Sequence, residues 1–269
     1  MNIVMGPALG VAMAVAVLLG AAVAWAARLG TSRATVTAGL RATLQLGVVS
    51  LLIGAIVGTL VLSAAFVALM VVVAARTAGR RMTESRSGWW AALPIAVAPV
   101  PVVGALVLAG VVPAQGIAVI PMAGILIGGT MTASALAGQR ALDELESRHG
   151  EVEAALSIGF VARDAAMEIA RPSAASALIP VTDQTRTVGL VTLPGAFVGM
   201  LLGGATPVEA GAVQLLVLVL LLAVQTVAVA STMELVCRGR VHRGGASAEI
   251  LTERSPIRSR LRRLVSGAG

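Results

Sequence analysis

The stretch VEAGAVQLLVLVLLLAVQTVAVASTMELV, from Val208 to Val236, is apolar over almost its whole length. A run of about 20 apolar residues is long enough to cross a bilayer as an α-helix. Its continuous apolarity differs from the alternating pattern of a transmembrane β-strand. Similar runs recur along the chain of 269 residues, which is 57% hydrophobic. The sequence therefore predicts an all-α, polytopic helical membrane protein.

Seven spans follow from these apolar runs. They are predicted at about residues 4–27, 40–57, 59–75, 90–109, 116–138, 178–204 and 208–236. Pro94, Pro99 and Pro101 lie within the fourth span and predict a kinked or broken helix, because proline lacks the backbone N–H that a helix needs. Pro194 and Gly195 predict a break in the middle of the sixth span.

Almost all of the arginines lie in four segments, which follow the first, third, fifth and seventh spans. Seven spans place these segments on one side of the membrane, and the positive-inside rule makes that side cytoplasmic. We therefore predict an extracytoplasmic N-terminus, a transmembrane domain over residues 1–236 with a cytoplasmic loop at 139–176, and a basic cytoplasmic tail at 237–269. In the tail, residues 257–265 suit either a helix on an anionic membrane surface or a disordered segment.

Several functions are excluded by residue types. All 20 basic residues are arginine, and a P-loop needs its lysine on the nucleotide phosphates. The chain is therefore not a Walker-type ATPase by itself. The single Cys237 excludes internal disulfides, and the predicted spans carry no cluster of His, Cys or carboxylates for high-affinity capture of soft metals. The arginines flank the spans, so we predict no nucleic-acid partner. We also predict no catalytic residue and no metal site.

The stretch EVEAALSIGFVARDAAMEIARP, from Glu151 to Pro172, stands between the fifth and sixth spans. It contains the pattern E-A-A-x3-G-x9-I-x2-P, which resembles the cytoplasmic loop by which permeases of ABC transporters grip their ATPase. A glycine that ends a helix separates two helical segments in such a pattern. The residues expected to couple to the ATPase are Glu153, Ala154, Ala155, Gly159, Ile169 and Pro172. An ordinary amphipathic loop is the alternative interpretation.

Polar residues within or beside the spans are candidates for a substrate path. They are Arg41, Gln45, Thr130, Thr132, Asp183, Arg186, Pro194, Gln214 and Gln225. Asp183 and Arg186 are three residues apart and can pair on one helix face. The Pro194 break can free backbone groups, as broken helices do at transport sites. Helix-to-helix hydrogen bonding is the other common use of such polar residues.

Further motifs resemble the FetB family of ABC permeases, also called UPF0014, with the plant proteins ALS3 and STAR2 as relatives. They include R-A-T-L-Q-L at residues 41–46, V-G-L-V-T-L-P-G at 188–195 and G-G-A-T-P at 203–207. The resemblance implies a multi-pass permease of the bacterial plasma (inner) membrane, built as a homodimer that joins two separate ATP-binding subunits. ATP and Mg²⁺ would then be bound by the partner subunit, and this chain would hold no cofactor.

The resemblance also implies export. Bacterial relatives are linked to iron and plant relatives to aluminium tolerance, with a sugar nucleotide as proposed cargo. Asp183, Arg186, Gly129 and Thr132 depart from the bacterial pattern, and an arginine suits an anion better than a free cation. The bacterial relatives imply iron or another metal as the cargo, whereas these departures favour an anionic metabolite such as a sugar nucleotide.

Two other functions remain open on the residues alone. An ATP-independent secondary transporter would couple through Asp183 and Arg186, but such proteins are commonly built from inverted repeats, which this sequence does not display. A membrane scaffold without transport activity would leave the loop pattern and the broken spans unexplained.

Overall fold

The computed structural model describes residues 6–56 and 58–243. Within this range the chain is almost entirely helical, and an isolated β-bridge joins Val188 to Thr192. The chain divides into two units, of which the first ends at Thr59 and the second begins at Leu60. Most of the predicted basic tail, including the amphipathic pattern at 257–265, lies outside the described residues.

The first unit is a pair of packed helices, α1 (Pro7–Ala26) and α2 (Ser32–Ile56). Their contact depends on small residues, because a Cβ added at Gly39 would lie only 2.9 Å from a methyl group of Val17. Such glycines allow membrane helices to approach closely where hydrophobic driving force between helices is absent.

The second unit contains the remaining helices, arranged around one long central helix, α6. Their bounds are α3 (Leu60–Met82), α4 (Ala92–Val97), α5 (Pro99–Leu108), α6 (Gly116–Ser147), α7 (His149–Ser157), α8 (Ala162–Ala175), α9 (Ile179–Thr187), α10 (Gly195–Leu202) and α11 (Pro207–Cys237), with short 3-10 helices at Arg86–Ala91 and Ser176–Leu178. Helix α6 packs against α3, α8 and α11. At about 1.5 Å per residue, α6 is long enough to cross the bilayer and project beyond it.

Small residues make close packing around α6 possible. A Cβ at Gly138 of α6 would lie 2.0 Å from the sulfur of Met82, which ends α3. Similarly, a Cβ at Gly79 would lie 2.3 Å from the carbonyl oxygen of Gly88, so α3 and the first 3-10 helix touch through backbone alone. Larger residues at these positions would force the helices apart.

Helix α11, the longest apolar run of the sequence, begins at a strong local signal. Thr206 accepts a hydrogen bond from the backbone N–H of Glu209, and Glu209 accepts one in return from the backbone N–H of Thr206. This reciprocal capping box, with Pro207 as the first helical residue, satisfies donors that a helix start leaves unpaired.

Six helices of the described chain are long and apolar enough to cross a membrane, which confirms the all-helical membrane fold. They cover Pro7–Ala26, Ser32–Gly54, Leu60–Met82, Arg86–Leu108, Gly116–Ser147 and Pro207–Cys237. The fourth is broken, as predicted, into a 3-10 helix, α4 and α5, with Pro99 at the start of α5, while Pro94 and Pro101 lie inside α4 and α5. Orientation in the membrane stays a prediction.

The predicted sixth span is not one of these six, because it is split into two short helices. Helix α9 ends at Thr187 and α10 begins at Gly195. We predicted the break at Pro194 and Gly195, but the non-helical segment already begins at Val188. Gly189 has a φ of +83°, which an α-helix does not allow, and Pro194 is extended.

Candidate functional site

The predicted coupling loop folds as two short helices, α7 and α8. Helix α7 ends just before Gly159, whose φ of +100° is a backbone conformation that favours glycine. Val152 on α7 is buried, whereas Glu153 and Ala154 are exposed and Ala155 is half-buried. The first part of the pattern therefore forms an accessible helix face, and Gly159 makes the turn.

The tip of the loop exposes three large apolar side chains next to Gly159. Ile158 is 78% exposed, Phe160 47% and Val161 61%. None of the three belongs to the buried core of the described residues, and exposed apolar patches commonly mark protein contacts. The sequence pattern centred on Glu153 missed these residues, although I-G-F-V is a visible apolar run within a polar segment.

Helix α8 packs one face against the membrane helices α6 and α11. Its buried residues are Ala165, Ala166, Ile169, Ala170 and Ala174, and it packs on α6 and α11. Ile169 therefore contributes to the packing of α8, and its role in coupling stays a prediction. Pro172 is exposed and lies inside α8, where it neither opens nor ends the helix.

A charged link joins α8 to the end of α11. The guanidinium of Arg163 donates to both carboxylate oxygens of Glu234, at 2.8 and 2.6 Å. Arg238 donates to the same carboxylate at 2.5 Å. The hydrogen bonds to Glu234 and then to Asp164 raise the pKa of Arg163 above its ordinary value, so its charge is fixed. No spacing rule pairs residues 163 and 234, so sequence analysis missed this link.

A second network centres on Arg148, between α6 and α7. Its guanidinium donates to Glu144 at 3.1 Å and to both oxygens of Glu151. The hydrogen bonds from Arg148 lower the pKa of the Glu151 carboxyl below its ordinary value. Ser173 of α8 donates to the other oxygen of Glu144 at 2.7 Å. Helices α6, α7 and α8 are thereby tied together through one charged cluster.

The candidate path residues in the second unit fall in two places. Asp183 and Arg186 lie on α9, with 4.0 Å between their charged groups and side chains 61% and 75% exposed. Pro194 caps α10 on the other side of the break. Asp183 and Arg186 precede the non-helical segment 188–194, and Pro194 ends it. The segment exposes Leu190, Val191 and Leu193.

The second place is the contact between α6 and α11. Thr130 is buried and donates to the Leu126 carbonyl at 2.6 Å, which leaves it a role within its own helix. Gln214 is buried, and its Oε1 has no hydrogen-bond partner among residues 6–56 and 58–243. Gln225 is half-buried, and its Nε2 is 2.7 Å from the position of a Cβ on Gly129.

The remaining candidates are not brought to either place. Thr132 is exposed on α6 and donates to the Gly128 carbonyl at 3.1 Å. Arg41 and Gln45 lie one turn apart on α2 of the first unit, and both are exposed. The described residues contain no group of three or more His, Cys, Asp or Glu side chains arranged to hold a metal ion.

Comparison with known proteins gives a consistent set of relatives. The model of the "Uncharacterised protein family (UPF0014)" matches residues 8–240. The UPF0014 membrane protein STAR2 of Oryza sativa subsp. japonica is 35% identical over 222 residues, which cover 81% of this chain and 77% of STAR2. The protein ALUMINUM SENSITIVE 3 of Arabidopsis thaliana is 36% identical over 159 residues, or 59% of this chain and 58% of its own.

A bacterial relative is named for transport. The "Probable iron export permease protein FetB" of Escherichia coli (strain K12) is 36% identical over 121 residues, which cover 44% of this chain and 45% of FetB. No solved structure matches the chain. The family model extends from α1 to the end of α11, and so includes the loop and the broken span. The chain is therefore a membrane protein that belongs to the UPF0014 family.

Proposed function

We propose that this chain is the membrane-spanning permease subunit of an ABC transporter, driven by a separate ATP-binding subunit that docks on the α7–α8 loop. The observation that carries the proposal is the exposed apolar tip formed by Ile158, Phe160 and Val161. The name of FetB as an iron export permease supports a transport role for a chain of the same family.

The surface of the loop suits a protein partner. Interfaces that bind tightly have an apolar centre surrounded by polar groups that exclude water. Here the apolar tip lies beside the exposed Glu153, whose carboxylate is 3.8 Å from His149. Docking would bury the tip and leave Glu153 to pair with a basic residue of the ATPase.

The ties behind the tip supply a route for motion. Helix α8 is joined to α11 by Arg163 and Glu234, and to α6 by Ser173 and Glu144. A displacement of the docked loop would therefore move α6 and α11 with it. In this proposal, closure of the ATPase dimer moves these two helices and opens the path to the other side of the membrane.

The path is proposed to pass the break between α9 and α10. Discontinuous helices place free backbone groups in the membrane at transport sites, and Asp183 and Arg186 stand at the end of α9. The proposed direction is export. The cargo is proposed as iron or another metal, or an anionic metabolite such as a sugar nucleotide, for which Arg186 supplies a positive charge.

The proposed assembly contains two copies of this chain and two ATP-binding subunits in a bacterial plasma membrane. The second candidate function, an ATP-independent secondary transporter, rests on the Asp183–Arg186 pair at 4.0 Å. It requires no docking partner, so the two functions differ in what the α7–α8 loop binds.

Affinity purification from the native membrane tests the docking. The tagged chain is purified in parallel with Glu153→Arg and with Glu146→Arg, a matched control in which an exposed glutamate near the end of α6 is reversed instead. We expect an ATP-binding subunit to copurify with the wild type and the control, and to be lost with Glu153→Arg. Absence of any ATP-binding subunit from all three samples would favour the secondary transporter.

A further inference from the structure

A small polar cavity lies where the end of α3 meets the 3-10 helix Arg86–Ala91. Its volume is about 180 Å³, well above the roughly 10–15 Å³ by the same measure that holds one water molecule. Three arginines line it, Arg76, Arg80 and Arg86, together with one carboxylate, Glu84. The cavity is therefore large enough for a phosphate-sized group and has an excess of positive charge.

These arginines differ from those of the α7–α8 loop. Arg148 and Arg163 are satisfied by carboxylates within the chain. In contrast, the ion pairs found within residues 6–56 and 58–243 include none of the three cavity arginines. Three arginines line this small space beside a single carboxylate and form no ion pair with it, which favours an external anion as their partner.

The walls of the cavity are held in place by contacts that involve no ligand. Its floor is the backbone contact between Gly79 and Gly88, where a Cβ on either residue would collide with the other. Two wall residues, Thr83 and Ser85, donate hydrogen bonds to the carbonyl of His242 at 2.9 and 3.0 Å. A site that is already shaped loses little conformational freedom on binding.

The surroundings favour a lipid as the source of the anion. The cavity lies at the end of a candidate membrane span, and the exposed Trp89 lines it. Tryptophan is enriched at the membrane–water interface. One turn before Arg76 on α3, Val72 and Val73 are exposed and apolar. A ligand whose phosphate occupies the cavity would meet an apolar surface directly beside it.

We propose that this cavity binds the phosphate group of an anionic phospholipid at the membrane interface. Basic pockets next to transmembrane helices are known to hold such headgroups. The site is separate from the α7–α8 loop and from the break at 188–194. It does not depend on the transport function proposed above.

Native mass spectrometry of the purified full-length protein in a nonionic detergent tests the site. Phosphatidylglycerol, phosphatidylcholine and inorganic phosphate are titrated separately into wild type, Arg80→Gln and Arg81→Gln. Arg81 is the matched control, because it is the next residue of α3 and is exposed but does not line the cavity. Arg76→Gln replaces Arg80→Gln if that variant does not fold.

We expect wild type and Arg81→Gln to bind phosphatidylglycerol more tightly than phosphatidylcholine. Loss of one cavity arginine should weaken phosphatidylglycerol binding about fivefold. Equal weakening by Arg80→Gln and Arg81→Gln would overturn the site, because it would indicate a diffuse basic surface. Binding of inorganic phosphate without phosphatidylglycerol would assign the cavity to a free anion and overturn the lipid assignment.

Discussion

The α7–α8 loop and the break at 188–194 both lie between the long helices α6 and α11, yet they are held in opposite ways. In the loop, charged side chains such as Arg148 and Arg163 tie each short helix to α6 or α11. In the break, backbone hydrogen bonds such as that from Gly189 to Thr192, at 2.9 Å, hold the turn, and the apolar side chains point outward.

We propose that this difference separates an element that transmits force from one that changes shape. A segment tied by several hydrogen-bonded charges moves together with the helices to which it is tied. A segment with few buried contacts opens at low free-energy cost. We therefore expect the loop to transmit force and the break to rearrange locally.

Gly159→Ala should produce the largest effect, because it strains the turn that joins α7 to α8. A side chain at a positive φ costs about 1–2 kcal/mol, which corresponds to roughly tenfold in binding. We expect the recovered ATP-binding subunit to fall by about that factor while membrane insertion is unchanged. Gly150→Ala is the control, since Gly150 has an ordinary φ and free space around it. Equal losses for both variants would contradict the role of the turn.

Arg163→Gln should have an intermediate effect, because it removes the tie between α8 and α11 but leaves the tip intact. We expect ATPase recovery to be normal, transport per ATP hydrolysed to fall several-fold, and the amides of α8 to exchange hydrogen faster. Arg171→Gln, an exposed arginine of the same helix, serves as control. Unchanged hydrogen exchange in Arg163→Gln would show that the link does not hold α8.

Arg186→Met should have the smallest effect on the protein, because the pair with Asp183 is wide and exposed. Exposed ion pairs contribute little to stability. We expect an unchanged melting temperature and normal recovery of the ATPase, with lower transport of anionic relative to cationic cargo. Identical cargo preference in variant and wild type would remove Arg186 from the path and leave it a surface residue.

Much of the fold was predictable because it depends on local sequence. Continuous apolar runs specify membrane helices, Pro99 marks the break before α5 in the fourth span, and Gly159 specifies the turn of the loop. Each of these signals acts through the residue's own backbone or its immediate neighbours. The family resemblance was also predictable, since motifs such as V-G-L-V-T-L-P-G are contiguous.

Long-range features were not predictable from one sequence. Arg163 and Glu234 are 71 residues apart, and only the packing of α8 on α11 brings them together. The cavity arginines are close in sequence, but the contact between Gly79 and Gly88 that returns Arg86 to the side of α3 has no spacing signal. The extent of the break in the sixth span was missed because the break begins at Val188, next to Gly189 with its positive φ, and not at Pro194.

Photo-crosslinking is the most direct test of whether an ATP-binding subunit docks on the tip of the α7–α8 loop. A photoreactive amino acid replaces Phe160 in the full-length chain, and in a control it replaces Leu108, an exposed apolar residue at the end of α5. After irradiation of native membranes, we expect an adduct with an ATP-binding subunit from position 160 and none from position 108. An ATP-binding subunit that crosslinks equally from both positions, or from neither, would contradict docking on the tip of the α7–α8 loop.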